Sequence, residues 1–455
     1  MARDTTRDMT TGSPVRLILA FTIPMLLGNL FQQFYSMADT LIVGRTLGVD
    51  ALSAVGATGS VSFLILGFAQ GLTAGLSVIT AQRFGAGDEQ GVRVSFATSL
   101  LVSAAVAVLL TAGSMLGARQ LLELMRTPAE IMDAAYAYIA IIFAGIAAAM
   151  FYNLFANILR ALGDSRTPLL FLIAGSAFNI TFDLICILVF RMGVRGAAAA
   201  TVAAQVLTCV CCAAYIARRF PMLRLRRADF RGVGQALACH LQVGLPMGFQ
   251  QSIIAIGTII VQVALNMQGK LAVAAFTAAS KIDTLTTPLT YLGVTMATYS
   301  AQNYGAGSYP RIKEGVRKCA YMELITSAVL MAVVLACGPD LVRLFVGSEP
   351  EVIALSRTYF NITCMGYPFL ALLFLYRYTL QGLGKSFVPT FAGAMELVMR
   401  LAMTLALAGP LGFAGICLAN PMAWVGSAVP LMIAYFITIR RLLRRTEEQH
   451  VQETF

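Results

Sequence analysis

Ala81-Gln82-Arg83-Phe84-Gly85-Ala86-Gly87-Asp88 returns 220 residues later as Ala301-Gln302-Asn303-Tyr304-Gly305-Ala306-Gly307-Ser308. Three further blocks repeat in nearly the same register. Ile23-Pro24-Met25 becomes Leu245-Pro246-Met247, and Leu162-Gly163-Asp164-Ser165 with Pro168 becomes Leu383-Gly384-Lys385-Ser386 with Pro389. Gly193-Val194-Arg195-Gly196 becomes Gly412-Phe413-Ala414-Gly415. Their offsets of 222, 221 and 219 residues mark an internal duplication, because chance similarity does not hold one register across four separate blocks.

Composition says what is duplicated. The 455 residues are 58% hydrophobic and 12% charged, with a mean hydropathy of +0.76. That apolar share exceeds the roughly 45–50% of soluble domains and excludes a soluble enzyme. Apolar runs fall at about 17–44, 53–80, 95–117, 131–157, 168–190, 197–217, 237–265, 272–300, 319–338, 353–377, 390–410 and 415–439. Each is long enough to cross a bilayer, which takes about 20 apolar residues. The expected fold is an all-α membrane protein of twelve transmembrane helices in two six-helix repeats. Six is even, so both repeats enter from the same side and are parallel.

The net charge of +11, from 33 basic and 22 acidic side chains, tests that topology. With the N-terminus cytoplasmic, 23 basic residues fall on the inner side, including Arg3, Arg7 and Arg377, and 8 on the outer, including Arg126; Lys281 and Arg400 stay within spans. Positive charge collects in cytoplasmic loops, so both termini are expected inside a cell membrane. The excess thus has a source other than nucleic-acid binding. The expected domains are an N-terminal lobe at 1–217, a basic cytoplasmic linker at 218–236, a C-terminal lobe at 237–445 and a polar tail at 446–455. The polar start Met1 to Ser13 leads into an apolar run too long for a cleavable signal.

Several motifs carry little chemistry. Cys209, Cys211 and Cys212 lie in an apolar run, and the chain's only histidines are His240 and His450, so packing is expected rather than a metal site. Gly85-Ala86-Gly87-Asp88 fits the GxGD protease pattern, but its second copy ends in Ser308, which points to a glycine turn. Gly384-Lys385-Ser386 resembles the end of a P-loop, yet the earlier glycine position is Thr379 and the first copy has Asp164. With no ATP-binding motif, transport would draw on an ion gradient or run passively. With no nucleophile–base pair or metal cluster, an enzyme is not expected.

Ionisable residues inside spans are functional candidates, since each costs about 2.5–3.5 kcal/mol at a helix centre on insertion scales. They are Asp39, Asp183, Lys281, Asp283, Glu323, Glu396 and Arg400. Glu396 and Arg400, four apart, are expected to form an intramembrane ion pair. Lys281 and Asp283, two apart, each need another partner or a wet cavity. Asp39 and Asp183 have no cation one turn away, and Asn179 shares a helix face with Asp183. Such carboxyls can exchange protons or join amide and hydroxyl oxygens around sodium, or they can simply hydrogen-bond neighbouring helices. For a substrate cavity the candidates are Gln32, Asn153, Asn157 and Gln251, whose side chains need partners away from lipid, with Met247 as an adaptable apolar wall. Pro24 and Pro246 each remove a helical hydrogen bond and allow a kink.

The run from Pro24 to Asp39 followed by Thr40-Leu41-Ile42-Val43-Gly44, the Gln-x-x-Gly-Ala-Gly loops at 82–87 and 302–307 and the Leu-Gly-x-Ser segments at 162–165 and 383–386 resemble the multidrug and toxic compound extrusion (MATE) family over the whole chain. The resemblance implies two six-helix bundles in a V-shaped pair that export cationic or amphipathic drugs in exchange for protons or sodium. It places the coupling site on Asp39, Asn179, Asp183 and Thr201, with sodium, if used, held by the same four residues. Some relatives add a glutamate in helix 7 and an aspartate in helix 10; here helix 7 offers Gln250 and Gln251, and helix 10 has only Glu351 at its margin, which favours an N-lobe mechanism. No cofactor beyond the coupling ion is implied. The expected partners are small organic cations, amphipathic drugs and membrane lipid, the expected state is a monomer, and the expected consequence is antibiotic resistance. A flippase for a lipid or polysaccharide precursor is the alternative, for which fourteen spans would be expected.

Overall fold

The computed structural model describes residues 8–125, 127–346 and 349–454. Arg3, Arg7, Arg126 and the terminal Phe455 lie outside the described residues. Among the described residues the regular structure is entirely helical. Ten helical segments are individually long and apolar enough to cross a membrane, and the pair Ala129–Ala144 and Ile146–Ala161, bent by 47° at Gly145, makes an eleventh. The remaining expected span is helical too, as Lys270–Asp283, the turn Thr284–Thr286 and Thr287–Gly305. Ser280, Lys281, Asp283 and Thr284 interrupt its apolar run. The chain is therefore a multi-pass membrane protein whose helices match the twelve runs read from the sequence.

The repeated motifs are helix ends. Ala86 donates its backbone N–H to Gln82, Gly87 to Phe84 and Asp88 to Arg83; Ala306, Gly307 and Ser308 donate in the same pattern to Gln302, Tyr304 and Asn303. The turn needs positive φ at its third residue, 70° at Gly87 and 68° at Gly307, which glycine reaches without steric cost. Asp88 then accepts the Gly91 N–H at 2.7 Å and caps the third span (Glu89–Leu124), so its acid serves a helix start. Asp164 does the same before Arg166–Leu184, accepting the N–H groups of Arg166 and Thr167 at 3.0 Å each.

Two compact units emerge: unit 1 comprises residues 1–8 and 23–252, and unit 2 comprises 9–22 and 253–455. Both divisions fall inside unbroken helices, Pro14–Leu47 and Val233–Met267, which contain Pro24 and Pro246. Within unit 1, the second span (Val49–Gly85) meets the first half of the seventh through Gly71 and Gly75. A Cβ on Gly71 would lie 2.2 Å from the Met247 carbonyl oxygen, and one on Gly75 would lie 2.6 Å from the Gly244 Cα. Small residues four apart allow this backbone approach. Cys212 packs in a cluster with Leu154, Phe155, Leu159 and Ile216. The segment after the sixth span (Val194–Arg219) forms short turns at Pro221–Leu223 and Asp229–Gly232, the second held by Arg93 Nε 3.5 Å from Asp229 Oδ1.

In unit 2, Met9 donates its N–H to Gln302 Oε1 at 2.9 Å, while its carbonyl accepts from Asn303 and Arg311. The N-terminal segment therefore lies on the same side as the loop at 302–307. The last helix runs from Gly412 to Thr454 and includes residues 446–454. One expectation is corrected: Arg377, counted among inner-side loop charges, is 3% exposed inside the helix Tyr367–Gly382 and pairs with Glu396 at 2.7 Å. A guanidinium with a buried carboxylate in reach need not sit in a loop.

Candidate functional site in unit 1

Tyr35 and Asp39 lie one turn apart on the first span, and Asn179 and Asp183 one turn apart on the fifth, so each helix presents two polar groups on one face. The fifth span widens into a π turn at Ile185–Val189 just beyond Asp183, a feature that recurs at functional sites. Asp39 and Asp183 come together, their carboxyls close enough to interact. Each retains one buried oxygen, Oδ1, without a hydrogen-bond partner. Among the described residues neither carboxyl forms an ion pair.

Asn179 ties the pair to the sixth span. Hydrogen bonding assigns its amide orientation: the nitrogen faces Asp183 Oδ2 at 2.7 Å and the Tyr35 hydroxyl at 3.3 Å, and the oxygen lies 3.2 Å from both the Thr201 hydroxyl and its backbone nitrogen. The four residues Asp39, Asn179, Asp183 and Thr201 thus form one cluster, and Tyr138 from the fourth span lies in the neighbourhood of the same two carboxyls. The hydroxyl of Tyr138 is not legible in the sequence, since an aromatic within an apolar run looks like packing. Tyr138 left one trace: a 221-residue shift places it on Tyr359, another tyrosine beside a buried acid.

Beside the cluster lies a cavity of about 160 Å³, lined by residues of the first, second, fourth, fifth and sixth spans. Its polar wall includes Gln32, Tyr35, Gln70, Asn153, Asn179, Thr201 and Gln205. Asn153 also donates to the Ala149 carbonyl at 2.9 Å. The other candidates stand apart from this wall. Asn157 bridges Thr73 at 3.3 Å and Arg160 at 2.7 Å, Met247 is buried against Gly71, and Gln251 lies along the second span near Gly67.

Unit 2 is built differently. Tyr359 and Tyr367 donate to the two oxygens of Asp283, the latter at 2.6 Å, which supplies the partner that residue needed; Lys281 is exposed. Glu323 is fully buried, and among the described residues neither of its carboxyl oxygens has a hydrogen-bond partner. Glu396 pairs with Arg400 at 2.8 Å as expected, and with Arg377 besides.

Comparison with known proteins gives this arrangement its family. The chain is 27% identical over 434 residues to "Probable multidrug resistance protein YpnP" of Bacillus subtilis, covering 94% of this chain and 96% of that one. It is 25% identical over 441 residues to "Probable multidrug resistance protein YoeA" of the same organism, covering 94% of each. It shares the fold of a structure described as "Crystal structure of MATE in the bent conformation", with a TM-score of 0.90 at 24% identity over 96% of this chain and 98% of that one. The family model MatE matches residues 24–185 and 246–406, one match in each repeat. The chain therefore belongs to the MatE family of membrane transporters.

Proposed function

We propose that the protein is a secondary active multidrug antiporter of the cell membrane, exporting cationic or amphipathic compounds in exchange for protons or sodium ions. The observation that carries this reading is the close Asp39–Asp183 carboxyl pair beside a polar cavity. Two carboxyls in mutual contact, with no basic partner, change charge by taking up or releasing an ion. Loss of charge repulsion on proton or sodium entry lets the first and fifth spans close around the pair, which alters the adjoining cavity wall through Tyr35 and Asn179. The orphan Oδ1 atoms, with the oxygens of Asn179 and Thr201, form a donor set suited equally to a hard cation, so both coupling ions fit the chemistry. The names of the B. subtilis relatives support drugs as cargo. Aromatic and amide walls suit varied planar cations, and a carboxyl favours positive charge.

The test is export of ethidium from liposomes containing the purified protein, under an imposed pH gradient and separately under a sodium gradient. Antiport requires that at least one gradient drive export and that collapsing it stop export. Ethidium movement indifferent to both gradients would overturn the reading.

A further inference from the structure

The register that aligns Pro168 with Pro389 also aligns Asn179 with Arg400 and Asp183 with Thr404. Both helices run without interruption through these positions. Where unit 1 has an amide and a carboxyl, unit 2 therefore has a guanidinium and a hydroxyl. The same shift aligns Gly175 with Glu396 and Ala156 with Arg377, so two small residues of unit 1 correspond to charged ones in unit 2. Tyr35 corresponds, in the register of the first block, to Gly257. A Cβ on Gly257 would lie 2.4 Å from Arg400 Nη1, so the glycine makes room for the guanidinium.

The cluster carries surplus positive charge. Glu396 bridges Arg377 at 2.7 Å and Arg400 at 2.8 Å, and all three residues are at most 7% exposed. Among the described residues no second acid pairs with either arginine, which leaves a net charge of +1. Three buried polar groups beside that charge have no hydrogen-bond partner: Arg377 Nε, Arg400 Nε and the Thr404 hydroxyl. Guanidinium N–H groups only donate, so a group that satisfies them must accept. Unit 1 is rich in acceptors; here donors and positive charge prevail.

We infer that the Arg377–Arg400–Thr404 cluster of unit 2 binds an oxyanion, a carboxylate, sulfonate or phosphate carried by an amphipathic molecule. Planar guanidinium forks match such groups in shape as well as in charge. The transporter then accepts organic anions or zwitterions in addition to the cations suited to unit 1. The inference rests on the transport reading only for the fate of the bound molecule, since binding itself can be measured without transport.

The experiment is fluorescence anisotropy of fluorescein, an amphipathic organic anion, with the purified full chain in phosphatidylcholine nanodiscs. Wild type is expected to bind. Arg400→Gln weakens binding at least tenfold, Thr404→Val weakens it severalfold, and Arg400→Lys weakens it by less than Arg400→Gln, because the charge is kept while the planar fork is lost. Should Arg400→Gln fail to fold, the two milder variants decide. Repeating the titration with phosphatidylglycerol in the disc separates sources: competition by the lipid assigns a headgroup phosphate to the site, and unchanged affinity assigns a soluble anion. Asp39→Asn, expected to lose transport, binds fluorescein like wild type, which keeps failure of antiport distinct from failure of this site. No binding to wild type in neutral discs, or equal binding by wild type and all three variants, would mean that the cluster is purely structural.

Discussion

Asp39 on the first span and Asp183 on the fifth bring their carboxyls together, although 143 residues separate them and, among the described residues, neither has a cationic partner. Two interacting carboxyls behave as a single titrating unit. Asp39→Asn and Asp183→Asn are each expected to cut gradient-driven ethidium export at least tenfold while the protein still reaches the membrane. Asp39→Asn/Asp183→Asn should be little worse than either single variant, because each already breaks the unit. Initial export rates normalised to membrane protein measure this, and losses that multiply would show two independent sites.

Tyr35 adds a hydroxyl 3.3 Å from the Asn179 nitrogen and also lines the cavity. Tyr35→Phe removes only that oxygen. The expected result is a weaker apparent affinity for the coupling ion, by about two- to thirteenfold if one hydrogen bond of about 0.5–1.5 kcal/mol is lost. The maximal rate should stay near wild type. Varying the driving ion at fixed ethidium separates the two parameters, and a fall in maximal rate alone would refute this role.

The legible part of the fold came from hydrophobicity and duplication. Both are written locally: an apolar run long enough to span, a glycine where a helix end needs positive φ. Asp39, Asn179 and Asp183 were legible because a polar group within an apolar run stands out. Arg377 was not, since it lies near the end of an apolar run and resembles a loop charge until Glu396, 19 residues on, is seen to reach it. Tyr138, Tyr359 and Tyr367 were illegible for a related reason: a tyrosine suits an apolar helix, and only tertiary contact reveals what its hydroxyl meets. The break at Thr284–Thr286 followed the same logic, because Asp283 is tolerated in a span once two tyrosines donate to it.

Gly71 and Gly59 lie on the same helix but in opposite settings. A Cβ on Gly71 would stand 2.2 Å from the Met247 carbonyl oxygen, whereas one on Gly59 would meet nothing within 4 Å. Gly71→Ala is expected to destabilise by about 1–3 kcal/mol through forced helix separation. Gly59→Ala should be neutral or stabilise by about 0.5–1 kcal/mol, as glycine is a poor helix former. The thermal unfolding temperature of the detergent-purified variants should therefore fall for Gly71→Ala and hold or rise for Gly59→Ala. Equal shifts would contradict the close approach of the second and seventh spans.

Asp283 tests whether coupling belongs to unit 1 alone. It is a buried acid in unit 2, but both its oxygens accept tyrosine hydroxyls, whereas Asp39 and Asp183 each keep an unpartnered oxygen for an incoming ion. Asp283→Asn preserves one acceptor and gives the other tyrosine a nitrogen that cannot accept its proton, at a cost of about 1–3 kcal/mol in stability. Ethidium export driven by the ion gradient is nevertheless expected to stay within about twofold of wild type, because the Asp39–Asp183 pair is untouched. Asp283→Ala leaves both hydroxyls without an acceptor and should lower the unfolding temperature further, with export per folded molecule still retained. The measurement is export rate divided by the folded fraction from size-exclusion chromatography. A tenfold loss in correctly folded Asp283→Asn would move part of the coupling into unit 2 and end the single-site account.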